Sequence, residues 1–331
     1  MTDSRGALRL LLFLSLISFS GWCFGKPSIL IIESYHKEYP WDQSYLEGLR
    51  EQLDDDYRLS TFEMDTKRLP KSAYQAQADK AWQVFIEQKP DLVILGDDNA
   101  LKYLGKKINE TKTPTVFLGI NGNPRDIGLP DMPYVTGVLE RPLFKRNIIE
   151  LNKIMNGKLK RLLVLFDSGN TSRAAVDEAF KGQKTLRIQG TTATLELVAT
   201  REQWQEIIRN APQHYDAVIV GLYHTLVDAS GQHVPANEIL EWTSQHSQTP
   251  TFAFWDFAVG KGKTAGGLVL FGKIQGLEAA KIVKRVMAGE DISKIRPVTA
   301  KNGRYYFSKS ELDRWGLTLP QSIANHAVLT E

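Results

Sequence analysis

Cysteine is almost absent: the 331 residues hold one, Cys23. Beyond that position a disulfide framework, a thiolate zinc site and a cysteine nucleophile are all excluded. A chain of this length without disulfides must be held by a large buried core, and it is long enough to build one. Long tracts of glycine, serine or proline are also missing, which argues against a flexible tether or a disordered arm. Charge of one sign is scarce. The formal net charge is +3, and the densest basic cluster, Lys158 to Arg161, is short, so nothing forms a nucleic-acid arm. Only one apolar run stands out, residues 10–19. It falls short of the roughly 20 residues that span a bilayer.

That run has a recognisable setting. Arg5 and Arg9 precede it, Ser20 and Gly21 follow it, and Cys23 and Gly25 place small side chains just before Lys26. A basic segment, a short apolar segment and a small-residue cleavage site form a secretory signal. Residues 1–25 are therefore expected to be removed, leaving a periplasmic chain that begins at Lys26. Trp22 is too bulky to precede a lipid-modified cysteine, so Cys23 reads as part of the discarded peptide.

Further on, short apolar runs alternate with helix-period stretches. The runs are 28–32, 92–95, 115–118, 162–166, 217–220 and 251–254. They lack in/out alternation, the pattern of strands buried on both faces. Helical candidates lie between them at 43–53, 73–88 (with Ser72 as cap), 143–155, 172–180, 201–210 and 237–246. Strands alternating with helices give βαβ units and mostly parallel sheets, so the class is α/β. Two sheets are expected, one before about residue 140 and one after. Pro90-Asp91 before 92–95 and Tyr215-Asp216 before 217–220 look like equivalent positions in two similarly built lobes.

In open parallel sheets, ligands bind beyond the carboxyl ends of the strands. The residues there are Ser34, Tyr35, His36, Trp41 and Asp42 after the first run, Asp97 and Asp98 after the second, and Asn121 and Gly122 after the third. The second half supplies Ser168, Asn170 and Thr171, then Tyr223, then Trp255, Asp256 and Phe257. Small residues, hydrogen-bonding groups and aromatic faces suit a cleft for a small, polar, partly flat molecule. Trp82 and Trp204 sit at helical spacing and read as core.

Catalytic readings fail on spacing. Asp97-Asp98 with Asp42 is a poor metal set, because adjacent loop residues rarely face one ion and aspartates favour turns and helix caps. His36 and His224 have no H-x-x-x-H pair and no cysteine to complete a zinc site. Gly262-Lys263-Thr264 resembles a phosphate loop, but Phe257 stands where the first glycine is required. Ser168 lacks the flanking glycines of a nucleophile elbow, since Phe166 precedes Asp167. No catalytic residue, metal or cofactor is expected.

The last third carries more specific patterns. Asn302-Gly303-Arg304-Tyr305-Tyr306-Phe307 leads to Leu312, then Trp315-Gly316-Leu317-Thr318-Leu319-Pro320 and Ser322-Ile323. Upstream lie Gly266-Gly267-Leu268-Val269-Leu270-Phe271-Gly272, a helix over 275–287, and Ile295-Arg296-Pro297-Val298. Here the chain resembles the ABC transporter substrate-binding proteins of the type I periplasmic-binding-protein fold, in the group that includes aromatic amino-acid binders. The resemblance implies two Rossmann-like lobes with parallel sheets, joined by three crossovers near 135–140, 268–271 and 295–298. Lobe 1 would be 26–138 plus 272–294, and lobe 2 139–271 plus 295–331. It further implies a monomeric, non-enzymatic protein that traps a small organic ligand, amino acid-like or aromatic/heterocyclic, and delivers it to an ABC permease. The first loop, Tyr35 to Trp41, is longer and more aromatic than the family pattern. Proteins with such loops also serve as sensing partners of membrane signalling proteins, so sensing stands as an alternative, with a hydrolase in the same cleft as another.

Overall fold

The computed structural model describes residues 25–300 and 303–331. Residues 1–24 of the expected signal segment, with Cys23, lie outside the described residues, as does Asn302 of the closing pattern. No described helix is long and apolar enough to cross a membrane.

The strands, in chain order, are β1 (Ser28–Glu33), β2 (Arg58–Glu63), β3 (Leu92–Gly96), β4 (Thr115–Ile120), β5 (Val135–Leu139), β6 (Arg161–Asp167), β7 (Thr185–Ile188), β8 (Thr191–Val198), β9 (Ala217–Val220), β10 (Thr251–Ala253), β11 (Gly266–Val269), β12 (Val298–Thr299), β13 (Arg304–Ser308) and β14 (Val328–Thr330). The first sheet has the order β12-β5-β4-β3-β1-β2, and every pairing in it is parallel. The second has the order β10-β9-β6-β8-β7, with only the edge strand β7 antiparallel. A third sheet, β11-β13-β14, is tied to β10 through Ala265 N to Thr251 O (2.8 Å) and Leu270 N to Phe254 O (2.8 Å).

The apolar runs become strands buried on both faces. Ile29, Ile31, Leu92, Ile94, Val116 and Leu118 face one core, while Leu30, Ile32, Val93, Leu95 and Phe117 face another. The first core is covered by the helices Pro40–Leu53 and Gly272–Met287, the second by Tyr74–Gln88 and Asp97–Glu110. Period-two alternation thus feeds two apolar layers, the signature of a doubly wound sheet. The second sheet repeats this, with Leu163, Leu165, Val218 and Val220 against Trp204, Ile208 and Leu240 on one side.

Helices Pro40–Leu53 and Gly272–Met287 touch backbone to backbone. A Cβ on Gly276 would fall onto the Tyr45 carbonyl, and one on Gly48 onto the Lys273 carbonyl. Glycine is what allows this close approach of the two backbones.

Several expectations shift. Residues 295–331 were assigned to the second lobe, but Val298 and Thr299 pair with Val138 and Leu139 in the first sheet. The third crossing therefore follows Thr299. Leu139, the last residue of β5, pairs with Ile120 of β4, so β5 belongs to the first sheet through Leu139. Ser72 does not cap a helix. It lies in the 3-10 turn Lys71–Ala73, and the helix begins at Tyr74 without a side-chain cap. Trp204 is fully buried, whereas Trp82 is only half-buried under Lys107, whose Nζ stands 4.1 Å from its ring.

Candidate functional site

The carboxyl ends of the two main sheets face one another across a narrow seam. From the first sheet come Tyr35 and Tyr39 of the loop after β1, Trp41 in the first turn of the helix Pro40–Leu53, Lys67 after β2, Asp97 after β3, Asn121 after β4 and Glu140 after β5. The second half contributes Thr171, Leu222, Trp255 and Phe257. Free space at the centre is about 10 Å³, room for a single water. Among the described residues three hydrogen bonds cross the seam: Tyr35 Oη to Thr171 Oγ1 (2.9 Å), Asn170 Nδ2 to Asn99 Oδ1 (3.2 Å) and Trp255 Nε1 to Glu140 Oε1 (2.6 Å).

Local backbone geometry sets up the polar floor. Asp97 opens the helix Asp97–Glu110 at φ 67°, a left-handed conformation uncommon for a residue with a Cβ. Such strain costs about 1–3 kcal/mol and collects at ligand sites. Gly119, at φ 69°, makes room for it: a Cβ there would lie 2.8 Å from Asp97 Oδ1 and 3.4 Å from Trp41 Nε1. Asp97 Oδ2, Asn121 Oδ1 and Trp41 Nε1 are buried without a hydrogen-bond partner. A buried polar group left unmade costs about 1–3 kcal/mol. These atoms therefore form a set of one donor and two acceptors whose partners are not supplied by the protein.

Lys67 is 4 % exposed. Its ammonium lies over the Tyr35 ring at 4.4 Å and the Tyr39 ring at 5.5 Å, and among the described residues it makes no ion pair or hydrogen bond. Burial lowers its pKa, opposed by the charges of Asp167, Asp97, Asp42 and Glu140. Around it the carboxyls are held up. Burial, then Asp42 and Glu140, push Asp97 well above its ordinary value. Burial raises Glu140 to about 8 even though Trp255 Nε1 (2.6 Å) and Asn121 Nδ2 (3.0 Å) donate to it. Glu33, buried under Glu63, is raised to about 7. His224 is lowered well below 6.5 by burial and by the charge of Lys67.

These shifts fix a pH dependence. A carboxyl whose folded pKa is raised makes the folded state bind more protons than the unfolded one, so stability falls as pH rises. For Glu33 the loss runs from about 4.5 to about 7, and for Glu140 from about 4.5 to about 8. His224 acts oppositely: its stabilising neutrality is present above 6.5 and is lost as pH falls below that. The melting temperature should therefore rise on going from pH 8 to pH 6.5. A flat or inverted profile in scanning calorimetry would contradict these shifts, and Glu140→Gln should flatten the upper part.

Among the expected site residues, Tyr35, Trp41, Asp97, Asn121, Thr171, Trp255 and Phe257 line the seam. Others have structural tasks. Ser34 Oγ donates to Gly96 O (2.6 Å) and accepts from Ala100 N (2.8 Å), tying β1 to the helix after β3. Asp98 Oδ1 accepts from the backbone N–H groups of Asn121 (3.1 Å) and Gly122 (2.8 Å), so Asp98 and Gly122 brace the loop that carries Asn121. Asp42 is fully buried beside Tyr45, and its carboxyl has no hydrogen bond of good geometry. Ser168 and Asn170 line an outer opening. His36 and Tyr223 line a chamber to one side of the seam. Asp256, raised to about 6 by burial, belongs to the 3-10 turn Asp256–Ala258 and is not among the residues lining the seam. Sequence reasoning missed Tyr39, Lys67, Glu140 and Leu222. Lys67 follows β2, an edge strand whose polar, half-exposed residues hide it, and Glu140 directly follows β5. No group of three or more His, Cys, Asp or Glu among the described residues is placed to hold a metal ion.

A ligand complex, the ABC domain with L-Trp from Streptococcus pneumonia, is 18% identical and superposes with a TM-score of 0.69 over 93% of this chain and 100% of that one. A conserved domain protein from Vibrio cholerae gives 15% and 0.68, over 93% and 100%. The ligand-free, open structure of a substrate binding protein with adhesive properties from Clostridium difficile gives 16% and 0.62, over 92% and 100%. These likenesses show the fold, the α/β architecture of periplasmic binding proteins of type I. No curated protein matches the chain in sequence. The family model for "ABC transporter substrate binding protein" matches residues 43–330, nearly the whole described chain, and the protein belongs to that family.

Proposed function

We propose that the protein captures a small organic ligand, amino acid-like or aromatic/heterocyclic, between its lobes, which part to admit it because the closed seam has room for only one water, and hands it to an ABC permease outside the cytoplasm. It acts by binding alone. In this reading the signal segment is removed before Lys26, one lobe is 26–139 with 272–299, and the other is 144–271 with 303–331. The observation that carries it is the set of buried, unpartnered atoms Asp97 Oδ2, Asn121 Oδ1 and Trp41 Nε1, beside the unpaired ammonium of Lys67. A ligand bearing both an ammonium and a carboxylate complements such a set, and Tyr39, Trp255 and Phe257 offer aromatic faces to cover it. The L-Trp bound to the Streptococcus domain is a molecule of this class. The experiment is a thermal-shift screen of amino acids, purines and sugars. A ligand at about 100 times its dissociation constant should stabilise the protein by about 2.7 kcal/mol. A response confined to sugars would overturn the ligand class, and turnover of the ligand would overturn binding as the function.

A further inference from the structure

Beside the seam, on the other side of Lys67, lies a chamber of about 390 Å³. This is within the range of small-molecule sites, which run from about 300 to 1,000 Å³. The two spaces share Tyr39, Lys67 and Phe257 as their common wall. Four other side chains with basic nitrogens line the chamber, and three of them have a hydrogen-bond partner. Arg68 is held by Asp65 through Nε (2.7 Å) and Nη2 (3.0 Å), with Glu38 at 3.6 Å. Lys263 Nζ donates to Phe257 O (3.2 Å). His36 Nδ1 stands 3.3 Å from Asp65, without hydrogen-bond geometry. His233 Nε2 lies 3.0 Å from His224 O. Lys67 is left as the buried cation without a partner.

A second orphan lies in the same wall. His224 is 6 % exposed, and its Nδ1 has no partner. Burial keeps this ring neutral, so Nδ1 can donate to an anion when it carries the proton. The rest of the lining is flat and apolar. The His224 ring stacks on Tyr223 at 4.3 Å and 24°, and meets Tyr39 and Phe257 edge-on at 4.8 and 5.3 Å. Leu240 completes this wall.

We propose that this chamber is a second ligand subsite, specific for an aromatic or heteroaromatic carboxylate whose anionic group meets Lys67 Nζ and His224 Nδ1 while its ring lies against Tyr39, Tyr223 and Phe257. The proposal rests on the reading of the protein as a small-ligand binder and shares Lys67, Tyr39 and Phe257 with the seam, but uses none of Asp97, Asn121 and Trp41. A ring matches walls that are themselves aromatic, and a carboxylate can make with Lys67 the close contact that the more distant carboxyls of Asp167, Asp97, Asp42 and Glu140 do not.

Indole-3-acetate, which carries a ring and a carboxylate but no ammonium, is the probe, titrated calorimetrically into the wild type and two variants. Ala236→Trp fills the chamber from a half-buried position that lines it. Lys67→Met removes the cation while keeping the stem. Each should weaken binding at least tenfold, with melting curves confirming that both fold. Unchanged affinity in the folded variants would overturn the subsite, as would no heat with wild type at millimolar probe. Binding kept in Ala236→Trp but lost in Asp97→Asn would also overturn it, since the probe would then occupy the seam. L-amino acids titrated in parallel report on the seam separately. A response to them with none to indole-3-acetate overturns the chamber alone. Probe binding abolished by Ala236→Trp, with no response to any amino acid, supports the chamber and overturns the amino-acid reading of the seam.

Discussion

Asp97→Asn is expected to weaken ligand binding by tenfold to a hundredfold while leaving the protein at least as stable as the wild type. A hydrogen bond to a charged group contributes about 1.5–3 kcal/mol, and each 1.4 kcal/mol is about tenfold in affinity. In the seam Asp97 has an oxygen with no partner, so no protein hydrogen bond is lost there. Its charge is already disfavoured by burial and by Asp42 and Glu140. Asparagine keeps the shape, drops the charge and tolerates the left-handed backbone at φ 67°. Trp41→Phe follows the same logic, since it removes a buried donor with no partner but leaves an aromatic ring. Titration of the ligand found by the thermal-shift screen, with melting curves alongside, checks both. Wild-type affinity in either folded variant would take that atom out of the ligand site. A large fall in melting temperature would show instead that the atom is structural.

Gly276→Leu should have the largest effect on stability, above about 4 kcal/mol, the range kept for severe core disruption. A single Cβ at this position already falls onto the Tyr45 carbonyl, and backbone cannot swing aside as a side-chain end can. Leucine would push the helix Gly272–Met287 off Pro40–Leu53 and open the first core. Lys281→Leu is the control: it adds the same side chain to the exposed face of the same helix, where changes usually stay within about 0.5 kcal/mol. Denaturant melts of both variants decide it. Equal midpoints would mean that the helix contact is not what holds this lobe together.

What the sequence disclosed follows burial. β1, β3, β4, β6 and β9 are buried along almost their whole length, so their apolar runs stand out. β2 and β7 lie at sheet edges, half-exposed, and their mixed residues read as loop. The helix Asp97–Glu110 escaped because it begins directly at the end of β3 with Asp97, Asp98 and Asn99, which look like a turn. The strand-end rule led to Tyr35, Trp41, Asp97, Asn121 and Trp255 because topology alone brings strand ends together. It could not separate a residue that faces the seam from one that braces the loop behind it. Asp97 and Asp98 are neighbours, yet one lines the seam and the other holds Asn121 and Gly122 by their backbones. Lys67 was hidden for a different reason: its importance comes from what it lacks, and a missing partner has no signature in one dimension.

The join between Pro40–Leu53 and Gly272–Met287 also sets a timetable for assembly. The first lobe is discontinuous: its sheet is finished by β12 and its core is covered by a helix from the far part of the chain. The five strands of the second sheet, in contrast, come from one uninterrupted stretch, Arg161 to Ala253. Closing the large loop that brings the two glycine-lined helices together costs entropy before any contact repays it, which slows folding. As the chain emerges, the first lobe stays unfinished until residues 272–299 have followed, whereas the second sheet has all its strands well before that. The part made first thus becomes rigid only after the second sheet has all its strands.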